Sequence, residues 1–165
     1  IYMHKLTTDD PRLTTFMTNG FFFVLALLAG VGVSVQLGVN SQLRQAVAHP
    51  VVSALISFAV GTLVLTVYVL GAARQSVPSL ETFRHIEWWK WTGGLLGAIY
   101  VTTAILAAPR IGAANFVSLV VAGQLLAALL FDHFGYVGFL QHSINWYRVA
   151  GALLIVGGVY LIQRN

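Results

Sequence analysis

Five stretches of this 165-residue chain contain no Asp, Glu, Lys or Arg: Leu13 to Leu43, Gln45 to Ala73, Trp91 to Pro109, Ile111 to Phe131 and Val149 to Gln163. An α-helix rises about 1.5 Å per residue, so about 20 apolar residues carry it across a hydrocarbon core roughly 30 Å thick. The first four stretches meet that length and the fifth approaches it. Helices satisfy their own backbone hydrogen bonds inside lipid, which open strands cannot do. The predicted fold class is therefore an all-α membrane protein, a bundle of five transmembrane helices.

Composition agrees and closes off other classes. Only 8% of the residues are charged and 58% are hydrophobic, against about 25% charged in soluble domains, too few to cover a globule with a solvated surface. The chain has no cysteine, which excludes disulfides, thiolate metal sites and cysteine nucleophiles. Its nine basic residues are scattered, without the cluster that phosphate binding requires, so no nucleic-acid partner is expected. The partners expected are the lipid bilayer and a small-molecule substrate, with neither cofactor nor metal.

Residues 1–18, with Asp9, Asp10, Pro11 and several threonines, are expected to form a polar, mobile N-terminal extension. The apolar run that follows continues past Gly38 without a small-x-small cleavage site, which argues against a signal peptide. Residues 19–165 form the membrane domain, with helices predicted at about 19–43, 51–71, 88–107, 113–132 and 146–162. His49 and Pro50 stop the first helix. Trp88, Trp89 and Trp91 around Lys90 are the aromatic and cationic anchor of a helix entering the headgroup layer. Pro109, Arg110 and Gly112 predict a tight turn that makes the third and fourth helices antiparallel neighbours. Residues 133–145 read as an interfacial loop.

Five crossings place the two ends of the domain on opposite sides. Lys5, Arg12, Arg74, Arg84, Lys90 and Arg148 fall on the side where the first helix begins, and Arg44, Arg110 and Arg164 on the other. With the extension set aside, this bias is too weak to orient the bundle strongly. Two arrangements follow. Either the chain takes one orientation with its N-terminus inside, or it inserts both ways and pairs as an antiparallel or inverted dimer, the pseudo-two-fold plan of many transporters. Five helices are also few for enclosing a substrate path, which favours a homodimer or a paired homologous subunit.

Two stripes run along the first helix at four-residue spacing. Gly30, Ser34 and Gly38 make a small-residue face suited to close helix packing, and Gln36, Asn40 and Arg44 make a polar one. Gln36 and Asn40 either act as interhelical hydrogen-bonding glue or line a substrate cavity, and Arg44 reads as a snorkelling interfacial anchor. Ser53, Ser57 and Gly61 repeat the small-residue device on the second helix, and Gly93 and Gly97 do so on the third. Tyr100 either donates a hydrogen bond into a cavity or packs at an interface. On the fourth helix Gln124 shares a face with Asp132, the acidic residue embedded beside an otherwise apolar segment. A charge at the bilayer centre costs about 2.5–3.5 kcal/mol or more, so such a carboxylate is paired or functional. Asp132 therefore forms an interfacial pair with Arg148 or Lys90, or acts with His133 as a proton-sensitive gate.

Several segments together carry a family likeness. They are GVSVQLGVNSQLR at Gly32 to Arg44, SFAVGT at Ser57 to Thr62, WTGGLLGAIYV at Trp91 to Val101, PRIGAA at Pro109 to Ala114 and AGQLLAALLFDHFG at Ala122 to Gly135. The chain resembles, over residues 19 to 163, the YdcZ-like family, a short five-helix branch of the drug/metabolite transporter superfamily. The resemblance implies a bacterial inner-membrane protein whose relatives act as antiparallel pairs or tandem fusions, and transport of a small metabolite or cation. It marks Gln36, Asn40, Ser57, Gly93, Gly97, Gln124, Asp132 and His133 as family-typical positions. Related small multidrug exporters place a proton-binding glutamate in the first helix, and this sequence has none there.

The function expected is a secondary transporter working by alternating access. Its substrate-pocket candidates are Gln36, Asn40, Ser57, Tyr100 and Gln124, and its proton-coupling candidates are Asp132 and His133. The alternative is a non-transporting membrane scaffold or assembly subunit. An intramembrane enzyme is not expected: the chain lacks an HExxH motif, a Rossmann or P-loop glycine pattern and paired intramembrane aspartates.

Overall fold

A computed structural model describes the backbone of residues 11–164 and the side chains of residues 20–164. Its helices are α1 (Pro11–Val47), α2 (Pro50–Ala72), a short α3 (Leu80–Arg84), α4 (Thr92–Ile111), α5 (Ala113–Phe134) and α6 (Trp146–Gln163). Three 3-10 turns lie at Arg74–Ser76, Trp88–Trp91 and Tyr136–Gly138. Five segments are long and apolar enough to cross a membrane: Gly20–Val47, Pro50–Ala72, Trp88–Ile111, Ala113–Phe134 and Trp146–Gln163.

The helix ends depart from the expected bounds for identifiable reasons. α1 begins at Pro11, where proline's missing N–H costs nothing in a first turn, so residues 11–18 are helical. Residues 1–10 of the expected extension lie outside the described residues. At its other end α1 runs on to Val47 and is broken by Ala48, whose φ of 55° is left-handed. His49 then caps α2, its Nδ1 accepting the Val52 N–H at 3.4 Å, with Pro50 in the first helical position. Ser79 caps α3 by accepting the Thr82 N–H at 3.3 Å.

The largest departure is at α4. Proline was expected to end this helix near residue 107, yet α4 continues through Pro109 to Ile111. The stop comes at Gly112, where a φ of 89° suits a residue without a Cβ. What compensates Pro109 inside the helix comes from α1 and is described with the site.

The spanning helices are packed unequally. α1, α2 and α4 touch one another pairwise, α5 leans on α4 and reaches α1, and α6 meets α5 alone among the spanning helices. One buried cluster joins Leu37, Ala104, Ala108 and Phe116, and a second joins Ala54, Val101 and Ile105, with Tyr100 packed against both. Alanines at 54, 104 and 108 let the backbones approach closely, which is how helices associate where lipid is as apolar as leucine. Both clusters lie in the half of the bundle that holds the end of α1 and the start of α2. Towards the opposite face, α1 from Phe21 to Val35 and α2 from Phe58 to Tyr68 are exposed. Burial in the four-helix core is thus concentrated at one end.

Candidate solute cavity

At the buried end two polar contacts tie α1 to its neighbours. Ser53, fully buried on α2, donates its hydroxyl to the backbone carbonyl of Asn40 at 2.9 Å. Arg44 donates from Nη1 to the backbone carbonyl of Ile105 at 3.2 Å. Ile105 precedes Pro109 by one helical step of four, and proline has no N–H to offer that carbonyl. The guanidinium supplies the missing donor. Arg44 is therefore more than an interfacial anchor: it satisfies the carbonyl that Pro109 orphans, which lets α4 pass through a proline without leaving a bare polar group in lipid.

Above these contacts lies a cavity walled by Val33, Gln36, Leu37 and Asn40 of α1 and by Tyr100, Val101, Ala104 and Ile105 of α4. It measures about 10 Å³, the room of one water molecule. Gln36 also borders a larger groove of about 280 Å³ between α1 and α2, completed by Ser57, Phe58, Gly61, Thr62 and Leu65. The groove lies along the exposed part of α2. Asn40 is only 5% exposed, and neither its side-chain amide nor that of Gln36 hydrogen-bonds to any described residue.

The expected pocket residues are thus partly assembled. Gln36, Asn40 and Tyr100 line the small cavity, and Ser57 joins Gln36 in the groove. Tyr100 also packs against Phe116 of α5, ring centroids 6.4 Å apart. Gln124 stands exposed on α5 and lines neither space. Thr62 contributes a groove hydroxyl that the sequence reading missed, although it closes the SFAVGT segment one turn beyond Phe58. Of the glycines in these stripes, Gly97 alone faces a neighbour: a Cβ there would sit 3.5 Å from the Phe58 ring. Gly30, Gly38, Gly61 and Gly93 have nothing within 4 Å of that position, and Ser34 turns its hydroxyl back to the Gly30 carbonyl at 3.2 Å. Those stripes stand open.

Asp132 and His133 lie at the far end of α5 and organise the connection to α6. The Asp132 carboxylate pairs with Arg148 at 3.1 Å, both side chains about 30% exposed (27% and 31%). The same guanidinium donates to the His142 carbonyl at 3.2 Å, and the His142 N–H donates to the Asp132 carbonyl at 2.7 Å. His133 Nδ1 accepts the Ile144 N–H at 3.3 Å, while its carbonyl accepts from the Gln141 side chain at 3.0 Å. Gly135, with a φ of 66°, turns the chain away from α5. Of the two partners expected for Asp132, Arg148 is the one engaged, since Lys90 pairs with Glu87 at 3.6 Å. Among the described residues no three His, Asp or Glu side chains cluster as a metal site would require.

Five membrane-length helices, two of which wall a small uncharged cavity, define a multi-pass protein of the inner membrane. The family described as "Putative inner membrane exporter, YdcZ" matches residues 21–161. The chain belongs to this YdcZ family of the drug/metabolite transporter superfamily. It is 28% identical over 149 residues to the "Inner membrane protein YdcZ" of Escherichia coli (strain K12), covering 90% of this chain and 99% of that protein. No solved structure matches it.

Proposed function

We propose that this chain is a secondary transporter of a small solute, working by alternating access about the cavity and groove lined by Gln36, Asn40, Ser57 and Tyr100. The observation that supports this most directly is the asymmetry of the core: polar contacts of Arg44 and Ser53 join α1, α2 and α4 at one end, and burial falls away towards the other. A membrane-embedded polar space tied at one end is what one state of an alternating-access cycle requires. The family's exporter description favours transport over a purely scaffolding role.

The working unit is proposed to be a dimer, an inverted pair of this chain or a pair with a homologous subunit. The open faces at Gly30, Ser34, Gly38 and Gly93 and the single-sided packing of α6 are what a second subunit would cover. Gln124, set apart from the cavity within one chain, joins the proposed site only from such a neighbour. Asp132 with His133 is the proposed proton-coupling pair, since Asp132 is the acidic residue on the described spanning helices.

The test is untargeted. Proteoliposomes holding the full chain are loaded with a bacterial metabolite extract, and solutes lost from the lumen are identified by mass spectrometry. A solute released by the wild type and retained with Asn40→Ala and Gln36→Ala is expected. Release profiles matching those of empty vesicles would instead favour the scaffold reading.

A further inference from the structure

We propose that the α1–α2 groove takes an uncharged, hydrogen-bonding solute, recognised by the amide of Gln36 and the hydroxyls of Ser57 and Thr62, and rejects ions. This rests on the transport reading above and narrows its substrate class.

The chemistry of the walls carries the inference. Every polar side chain lining the groove and the cavity is a neutral amide, hydroxyl or phenol, set among Phe58, Leu65, Val33 and Val101. No charged side chain lines either space. Arg44 turns to the Ile105 carbonyl beneath the cavity, and Asp132 is held by Arg148 at the far end of α5. Glu81 and Glu87, the other acidic residues described, pair with Arg84 and Lys90 in the connection ahead of α4.

An ion entering this space would lose its hydration without an opposite charge to replace it, at several kcal/mol. A neutral amide or hydroxyl compound loses far less, and three side chains stand ready to return its hydrogen bonds. The volume of about 280 Å³ lies just below the usual range of small-molecule pockets, which sets a compact solute rather than a drug-sized one.

The absence of native cysteine allows a direct test of solute class without knowing the substrate. Single-cysteine variants Ser57→Cys and Thr62→Cys are made in the full chain, with Gln75→Cys in the exposed connection and Leu63→Cys on the outer face of α2 as references. Membrane vesicles are treated with three methanethiosulfonates of similar size: neutral hydroxyethyl, cationic trimethylammonioethyl and anionic sulfonatoethyl. After normalisation to Gln75→Cys, the neutral reagent is expected to modify both groove cysteines at least about tenfold faster than either charged one, a difference of about 1.4 kcal/mol. It should also outpace its own reaction at Leu63→Cys. A cationic or anionic reagent reacting as fast as the neutral one would overturn the solute class and leave the groove standing as a water-filled site. Equal neutral labelling of Leu63→Cys would show that the bilayer makes the selection, and would equally overturn it. Groove cysteines silent to all three reagents would overturn the transport site itself.

Discussion

At the scale of single residues, the bond between Arg44 and the Ile105 carbonyl joins two sequence features that look unrelated. Proline at 109 removes a donor from α4, and an arginine on another helix replaces it. Hydrogen bonds to charged groups contribute about 1.5–3 kcal/mol. Arg44→Ala is expected to lower the thermal unfolding midpoint in detergent accordingly. Pro109→Ala returns an N–H to α4, so in that background Arg44→Ala should cost markedly less. A double-mutant cycle reads this coupling, and strictly additive effects would show that the arginine acts independently of the proline. The Asp132–Arg148 pair is part-exposed and weaker, about 1 kcal/mol or less. Its loss in Asp132→Asn should leave the fold intact while flattening the pH dependence of flux, and an unchanged pH profile would remove Asp132 from proton coupling.

Between elements, one of the contacts of α4 with α2 falls at a glycine. At Gly97 a Cβ would rest 3.5 Å from the Phe58 ring, ordinary van der Waals distance. Gly97→Ala should therefore be tolerated. Gly97→Leu drives a branched side chain into that ring, and overpacking of this kind costs about 1–3 kcal/mol. Because Phe58 also borders the groove, the leucine variant is expected to lose flux as well as stability. Equal thermal midpoints for the two variants would mean that α2 and α4 are free to separate at this level. The same comparison bears on how the groove opens, since α2 is held to the core chiefly near Ser53 and Ala54 and is exposed beyond Phe58.

For the whole molecule, the open stripes separate packing within a chain from packing between chains. Gly30→Leu with Gly38→Leu meets no neighbour inside the subunit, so monomer stability in detergent should hold. Cross-linked dimer in native membranes should fall. Undiminished cross-linking would show that subunits do not meet on this face of α1. Reporters placed ahead of α1 and behind α6 decide orientation. Signals from both sides of the membrane for each position are expected for inverted pairing, and a single fixed side for each would exclude it.

Charge spacing alone determined that this chain crosses a membrane five times, because a run without charges as long as the bilayer is thick has few other places to go. It also placed Gln36 and Asn40 on one helical face, since four-residue spacing is a local property of α-helices. The ends of α1 and α4 were less legible. A proline's effect depends on whether some distant donor can reach the carbonyl it orphans, and Arg44 lies 61 positions away in sequence. The tertiary structure also decided which polar residues share a space. Helix rotation and pairing bring Ser57 and Thr62 to Gln36 and leave Gln124 outside, and no periodicity within one helix encodes which face its neighbours will cover.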